Sequence, residues 1–188
     1  DAQLSSFHKS GQGGQAQWIV DESNRDFLGN ELLVWLWYLQ AKGNESIKLE
    51  DGSELAFMLV RSLSLECPKG QDGRESISSD APTRLPEAMR ALQSGKLPRK
   101  IGLTIVRQDQ TYELSINAEL FSVSGAKLPP TEAIEDRARL EERMEQIRHL
   151  VETLDLLLDA FGKVRLAENW GKDLSHIRKW LREGAEEE

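Results

Sequence analysis

The chain has 188 residues, of which 39% are hydrophobic and 30% are charged, and its formal net charge is −8. This length fits one domain, or a core domain with an appendage. The acidic balance argues against a nucleic-acid binder of the simple basic kind, although a local basic face stays compatible with it.

The opening stretch is polar and rich in glycine, so we expect a flexible linker there, or the end of a fragment. Its glycine run at 11–14 lacks the Gly-Lys-Ser/Thr that follows in a phosphate-binding loop. The expected ordered part starts at Trp18, and no signal peptide or membrane-spanning segment is visible. We therefore divide the chain into a linker (1–17), an α+β core (18–130) and C-terminal helices (131–188). We expect a cytoplasmic protein without a membrane partner.

The most informative segment is a predicted helix that contains residues 27–39, FLGNELLVWLWYL. Ser23 and Asp26 have the spacing of a capping box, which places the helix start near Ser23. The helix is predicted to run to Lys42 and to stop at Gly43, a typical C-terminal glycine. Apolar side chains on nearly every side mean that it must be buried, within the domain or against a partner. It is shorter than the roughly 20 apolar residues that cross a bilayer.

Two residues inside this helix are unusual for an apolar segment. Gly29 costs about 1 kcal/mol relative to alanine, and such a glycine often marks a close crossing by another element. Glu31 is the one charge near the tryptophans. Buried there, it would have a raised pKa and could act as a general acid. Facing solvent in the first turn, it would only complement the helix dipole.

A β-rich section follows the helix. A hairpin is predicted between 46–50 and 54–67, with the turn at Asp51-Gly52-Ser53. Leucine and phenylalanine alternate along the second strand until Arg61 interrupts the apolar face, which predicts a bend or bulge. Residues 68–84 read as a long, mobile polar loop.

A short helix from Pro86 to Ser94 is expected next, closed by Gly95. Two more strands alternate, over 101–105 and 112–120, with a turn at 108–110. Because each has one apolar face, the sheet should be antiparallel with one covered side, and the aromatic helix is its natural cover.

The C-terminal part is predicted to be helical from Thr131, with Gly162 ending or kinking the first helix and an amphipathic helix after it. We expect an α+β fold: an antiparallel sheet packed on a buried aromatic helix, with a C-terminal helical hairpin. The first of these C-terminal helices carries a heptad stripe, which predicts a self-association or interdomain face, and we expect a homodimer. The stripe consists of Met144, Ile147, Val151, Leu154, Leu158 and Phe161.

No pattern of residues points to catalysis. His8, His149 and His176 lack the spacing of metal ligands. Cys67 has no partner for an internal disulfide and is better explained as a small core residue than as a nucleophile. Nucleotide-binding and hydrolase motifs are absent from the sequence. We expect a non-enzymatic protein with no metal, no cofactor and no small-molecule substrate.

Two groups of cations are candidate phosphate contacts, with ordinary surface charge as the alternative. Since no base-reading motif accompanies them, any duplex DNA would be held by its backbone, independently of sequence. The first group is Lys96, Arg99 and Lys100, and the second is Lys172, Arg178, Lys179 and Arg182.

The string Phe27-Leu-Gly-Asn-Glu-Leu-Leu-Val-Trp-Leu-Trp-Tyr38 resembles a segment in the C-terminal part of RdgC-like, recombination-associated bacterial proteins. The spacing of Ala88, Ala91, Leu92, Gly95, Lys96 and Pro98 fits the same layout. The resemblance implies a non-enzymatic protein that binds duplex DNA with little sequence preference, forms a ring-shaped dimer and modulates a recombinase. If this chain binds DNA, we expect it at the nucleoid. This chain is shorter than that family and acidic. The alternatives are an interaction or oligomerisation module without nucleic acid, and an enzyme built around Glu31.

Overall fold

The computed structural model describes residues 27–67, 73–119 and 121–183. The predicted linker, the start at Trp18 and the capping pair Ser23 and Asp26 lie outside these residues. The fold is α+β, as predicted: an antiparallel sheet covered on one face by helices.

The described elements are four α-helices and six strands. The helices are α1 (Phe27–Ala41), α2 (Pro86–Gln93), α3 (Asp136–Leu166) and α4 (Trp170–Glu183). The strands are β1 (Ser46–Lys48), β2 (Glu54–Glu66), β3 (Arg74–Ser79), β4 (Leu97–Arg107), β5 (Gln110–Asn117) and β6 (Ser122–Lys127). No described helix is both long enough and apolar enough to cross a membrane.

The sheet has the order β1-β2-β4-β5-β6, and β3 pairs with β2 beside β1. The predicted β1–β2 hairpin is confirmed, with Ser46 opposite Ala56. The turn between β4 and β5 is also confirmed. Its two central residues, Gln108 and Asp109, both have positive φ, as a tight hairpin turn requires.

The predicted irregularity at Arg61 is a β-bulge. The pairing of β2 with β4 shifts between Leu59 and Leu63, and Arg61 has a φ of 66°. A Cβ at Gly102 on β4 would lie 2.2 Å from the carbonyl oxygen of Val60. The bulge therefore requires a glycine on the neighbouring strand.

The prediction from the sequence was wrong for three elements. The segment 68–84 is not one loop, because it contains β3 and a 3₁₀ turn at Pro82–Arg84. Strand β6 was missed altogether. The helix predicted from Thr131 begins only at Asp136, and it does not end at Gly162 but runs to Leu166. Both missed strands are rich in serine and are held by backbone pairing rather than by an apolar face.

Helix α1 covers the sheet, as predicted. Leu32, Leu36 and Trp37 are at most 1% exposed. The close crossing predicted at Gly29 is confirmed, since a Cβ there would lie 1.9 Å from the carbonyl oxygen of Ala118. The buried side chains of the three long strands complete this layer: Leu55, Phe57, Leu59, Leu63, Leu65, Ile101, Leu103, Ile105, Tyr112, Leu114 and Ile116.

The C-terminal helices close the other side of α1 through ring contacts. The Phe161 ring lies 5.4 Å from that of Trp35, and the Trp180 ring lies 6.1 Å from that of Trp37. The indole Nε1 of Trp37 also donates to the carbonyl oxygen of Thr83 at 3.1 Å. One hydrophobic core thus joins the sheet, α1 and both C-terminal helices.

Candidate functional site

Helix α3 has two apolar faces, and within residues 27–67, 73–119 and 121–183 only one of them is covered by other elements. The inner face is buried and consists of Gln146, Leu150, Thr153, Leu157 and Phe161. The outer face, which we call the outer stripe, consists of Leu140, Met144, Ile147, Val151, Leu154 and Leu158. Four of its side chains are at least half exposed: Leu140 at 62%, Met144 at 54%, Ile147 at 50% and Val151 at 52%.

The predicted heptad stripe and the outer stripe overlap in five residues. Phe161 belongs instead to the core, where its ring also lies 6.3 Å from that of Trp170. Leu154 is half-buried, and Leu158 is 37% exposed. Leu140 continues the same spacing by four residues but was missed because charged residues surround it. The outer stripe is therefore most open towards the start of α3.

A buried arginine fixes the middle of α3 to the sheet. The Arg107 side chain is 2% exposed. Its Nη2 donates to Asp51 Oδ2 at 2.6 Å and to Glu152 Oε1 at 3.0 Å, and its Nη1 donates to Thr153 Oγ1 at 3.2 Å. One guanidinium thus binds the β1–β2 turn and α3 together, at the end of β4.

Hydrogen bonds within the β1–β2 turn also hold the Asp51 carboxylate that accepts from Arg107. The backbone N–H and the hydroxyl of Ser53 donate to Asp51 Oδ1 at 2.9 and 2.6 Å. Together with Arg107, these bonds lower the pKa of Asp51 to about 2. The carboxylate is therefore ionised at neutral pH.

A second polar contact joins α3 to β5. The Tyr112 hydroxyl lies 2.8 Å from Nδ1 of His149, and Nε2 of His149 lies 3.2 Å from Oε1 of Gln108. The Tyr112 hydroxyl also donates to the carbonyl oxygen of Gln146 on α3 at 3.3 Å. Burial, and then the charge of Arg107, lower the pKa of His149. The ring is therefore held in its neutral form.

This polar cluster joins α3 to the sheet around two buried side chains, whereas the carboxylates of Asp51 and Glu152 are reached by solvent. Arg107 is 2% exposed and Tyr112 is 0% exposed. Its members, such as Asp51 and Glu152, are far apart in the sequence. No local sequence motif could therefore predict the cluster. Its effect is to hold the outer stripe in a fixed direction relative to the sheet.

Glu31 is buried, so the expectation of a solvent-facing carboxylate was wrong. Its side chain is 2% exposed, and its Oε2 accepts a hydrogen bond from Nε of Arg165 at 2.7 Å. Burial raises the pKa of Glu31, and Arg165 opposes that shift. The guanidinium of Arg165 lies 5.3 Å from the ring centroid of Trp170. The pair ties α1 to the junction of α3 and α4, a structural task.

The first cation group is largely neutralised within the chain. Lys96 Nζ lies 2.7 Å from Glu75 Oε2, and Arg99 Nε lies 3.1 Å from Glu66 Oε2. Arg99 also pairs with Glu119 at 3.7 Å. Lys100 is half-buried on β4. Little free positive charge is therefore left at this turn.

The second cation group is more open. Lys172, Lys179 and Arg182 lie on the exposed side of α4, opposite the buried Trp180, while Arg178 is half-buried. Lys179 makes a long ion pair of 3.8 Å with Glu183, and both side chains are at least half exposed. In the described ranges, no cluster of three His, Cys, Asp or Glu side chains could hold a metal ion.

Comparison with protein-family models and with curated proteins finds no match to this chain. The likeness to RdgC-like proteins accordingly rests on the residues that carry it, chiefly 27–38.

Proposed function

We propose that this domain is a self-association module, and that the outer stripe is the surface through which two copies meet. The observation that carries the proposal is the exposure of Leu140, Met144, Ile147 and Val151 at heptad spacing on one side of a helix. A surface helix normally hides such a stripe, and contiguous exposed apolar surface is typical of interaction sites. Heptad spacing in turn suits a helical partner.

The size of the stripe sets the expected strength of association. Burying the exposed half of an aliphatic side chain contributes about 1 kcal/mol. Four such residues from each copy contribute roughly 8 kcal/mol, which is comparable to the 4–15 kcal/mol cost of association. We therefore expect a weak, concentration-dependent dimer.

The test measures the mass of the full chain by sedimentation equilibrium over a concentration series. Wild-type protein should approach the dimer mass, whereas Ile147→Glu with Val151→Glu should remain monomeric. The matched control, Ala138→Glu with Ser175→Glu, adds the same charge at exposed positions outside the stripe and should dimerise normally. A wild-type chain that is monomeric up to the ~100 μM range of weak complexes would refute the proposal.

A second candidate function is sequence-independent binding of duplex DNA, as the resemblance to RdgC-like proteins implies. The observation that favours it is the exposed row of Lys172, Lys179 and Arg182 on α4. A dimer would double this row. Contacts of this kind reach phosphates and not base edges, so they would not select a sequence.

The test of DNA binding is a salt titration of the full chain against fluorescent duplexes of unrelated sequence. Affinity should fall with a log–log slope of roughly −0.9 per phosphate neutralised. Replacing Lys172, Lys179 and Arg182 by alanine should flatten the slope. Replacing Lys96, Arg99 and Lys100, the matched triple control, should change it less, because Lys96 and Arg99 are already paired. No binding at low salt would leave self-association as the function.

A further inference from the structure

The charged residues beside the outer stripe bear on the orientation and register of α3 in the proposed dimer. Glu141, Arg148 and Asp155 each directly follow a stripe residue at heptad spacing, and all three are exposed. On the other flank, Leu150 and Leu157 are already buried against the chain's own core. The first flank therefore offers three exposed charges, whereas the other flank offers one, the half-buried Arg143.

Resting on the proposed self-association, we propose that the two α3 helices pack antiparallel, with Leu140 against the partner's Val151 and Met144 against the partner's Ile147. The two-fold axis then passes between residues 145 and 146. In this alignment Glu141 comes opposite Arg148 of the partner subunit. Symmetry makes the same pair a second time, so the two exposed charges of this flank nearest the axis, which also pair with Arg137 and Glu145 of their own helix, are matched between the copies.

The other alignments of the same stripe place like charges together. An antiparallel packing shifted by one heptad brings Arg148 opposite the partner's Arg148, and Glu141 opposite the partner's Asp155. A parallel packing in register brings Arg143 close to the partner's Arg148. Like charges at such flanking positions disfavour a pairing, and flanking charges select orientation in coiled coils.

Exposure along the helix favours the same alignment. The four contact layers use the four stripe residues that are at least half exposed. Leu154, which is half-buried, falls outside these layers, and so does the core residue Phe161. The N-terminal part of α3 thus supplies the contact, while the C-terminal part stays with its own domain.

Disulfide trapping in the full chain tests the alignment. All variants carry Cys67→Ser, so that the introduced thiols are alone. Leu140→Cys with Val151→Cys should give a cross-linked dimer on mild oxidation, because each thiol meets the other residue's position in the partner. The two thiols cannot bridge within one helix, being eleven residues, or about 16 Å, apart. Each single variant should stay uncross-linked.

The outcomes separate this inference from the proposed function. Cross-linking of either single variant indicates a parallel dimer and overturns the antiparallel alignment. A dimer by sedimentation that fails to cross-link in the double variant overturns the register. A wild-type chain that never dimerises refutes self-association itself, and the alignment with it.

Exchanging the two charges tests the pairing of Glu141 with Arg148 independently. Glu141→Arg and Arg148→Glu should each weaken dimerisation roughly tenfold at low salt, since each turns two attractive pairs into repulsive ones. The double swap should restore the dimer, although it also reverses the exposed pairs with Arg137 and Glu145 in the same helix. Circular dichroism of each variant checks that α3 remains helical. A double swap as weak as the single swaps would contradict the pairing.

Discussion

Helices α1 and α3 are both rich in apolar residues, but the protein uses them differently. Helix α1 is enclosed on nearly every side, with Leu32 and Leu36 at 0% exposure. Helix α3 buries one face, which includes Leu157, and leaves Val151 half exposed on the other. The difference shows that a helix can carry more apolar surface than its own fold requires. The surplus on α3 is the surface to which we assign the proposed self-association.

The largest expected effect lies in α1, at Trp35. This residue is 7% exposed and its ring packs against Phe161. Trp35→Ala should lower the free energy of unfolding by about 3–5 kcal/mol, or prevent soluble expression. Urea denaturation monitored by circular dichroism measures the change. A folded Trp35→Ala protein of unchanged stability would contradict the buried role of α1.

Two neighbouring leucines on α3 sharpen the contrast between its faces. Leu157 is 1% exposed and Leu158 is 37% exposed. Leu157→Ala should cost about 2–5 kcal/mol of stability, while Leu158→Ala should stay within about 0.5 kcal/mol. Denaturation at low protein concentration measures both, because association is then minimal. Equal losses at the two positions would show that the outer stripe also supports the fold.

Replacing two helical glycines by alanine should change the stability in opposite directions. A Cβ at Gly29 meets backbone, whereas a Cβ at Gly162 has nothing within 4 Å. Gly29→Ala should therefore destabilise the protein by about 1–3 kcal/mol. Gly162→Ala should stabilise it by about 0.5–1 kcal/mol, because alanine is the better helix former. Thermal melts of both variants provide the measurement, and a stabilising Gly29→Ala would disprove the close crossing at Ala118.

The smallest effect concerns pH and the attachment of α3 at His149. Its pKa in the folded state lies below the ordinary 6.5, so the unfolded chain binds this proton more readily. The contribution of neutral His149 is complete above pH 6.5 and is lost as the pH falls through 6.5 towards the lowered pKa. Arg107 strengthens this tendency, while Glu152 and Glu145 oppose it.

Denaturation curves from about pH 8 to about pH 5 test this behaviour, within the range where histidine titrates. The wild-type chain should lose stability on acidification, and His149→Gln should lose less. His176→Gln, at an exposed position on α4, serves as the matched control and should follow the wild type. Identical pH profiles for wild type and His149→Gln would remove this histidine from the attachment of α3.

Strong apolar patterns made most of the fold predictable from the sequence. The aromatic helix, the β1–β2 hairpin, the irregularity at Arg61 and the crossing at Gly29 all follow from local spacing. Strands β3 and β6 were unpredictable for the opposite reason. Their sequences, RESISS and SVSGAK, have no continuous apolar face, and their stability comes from pairing with a neighbouring strand.

The candidate site was predictable only in part. Heptad spacing identified five outer-stripe residues, but the inner face of α3 escaped notice because Gln146 and Thr153 are polar. Phe161 fits both patterns, and its contacts with Trp35 and Trp170 show that it belongs to the core. The cluster at Arg107 joins residues 45 and 56 positions away, a separation that no spacing rule covers.

The closure of α1 by the C-terminal helices has a consequence for synthesis on the ribosome. Glu31 and its partner Arg165 are 134 residues apart, and Trp180 comes later still. At about 5–20 residues per second, α1 emerges on the order of 10 seconds before the residues that cover it. During that interval a tryptophan-rich segment is open to chaperones and to other nascent chains.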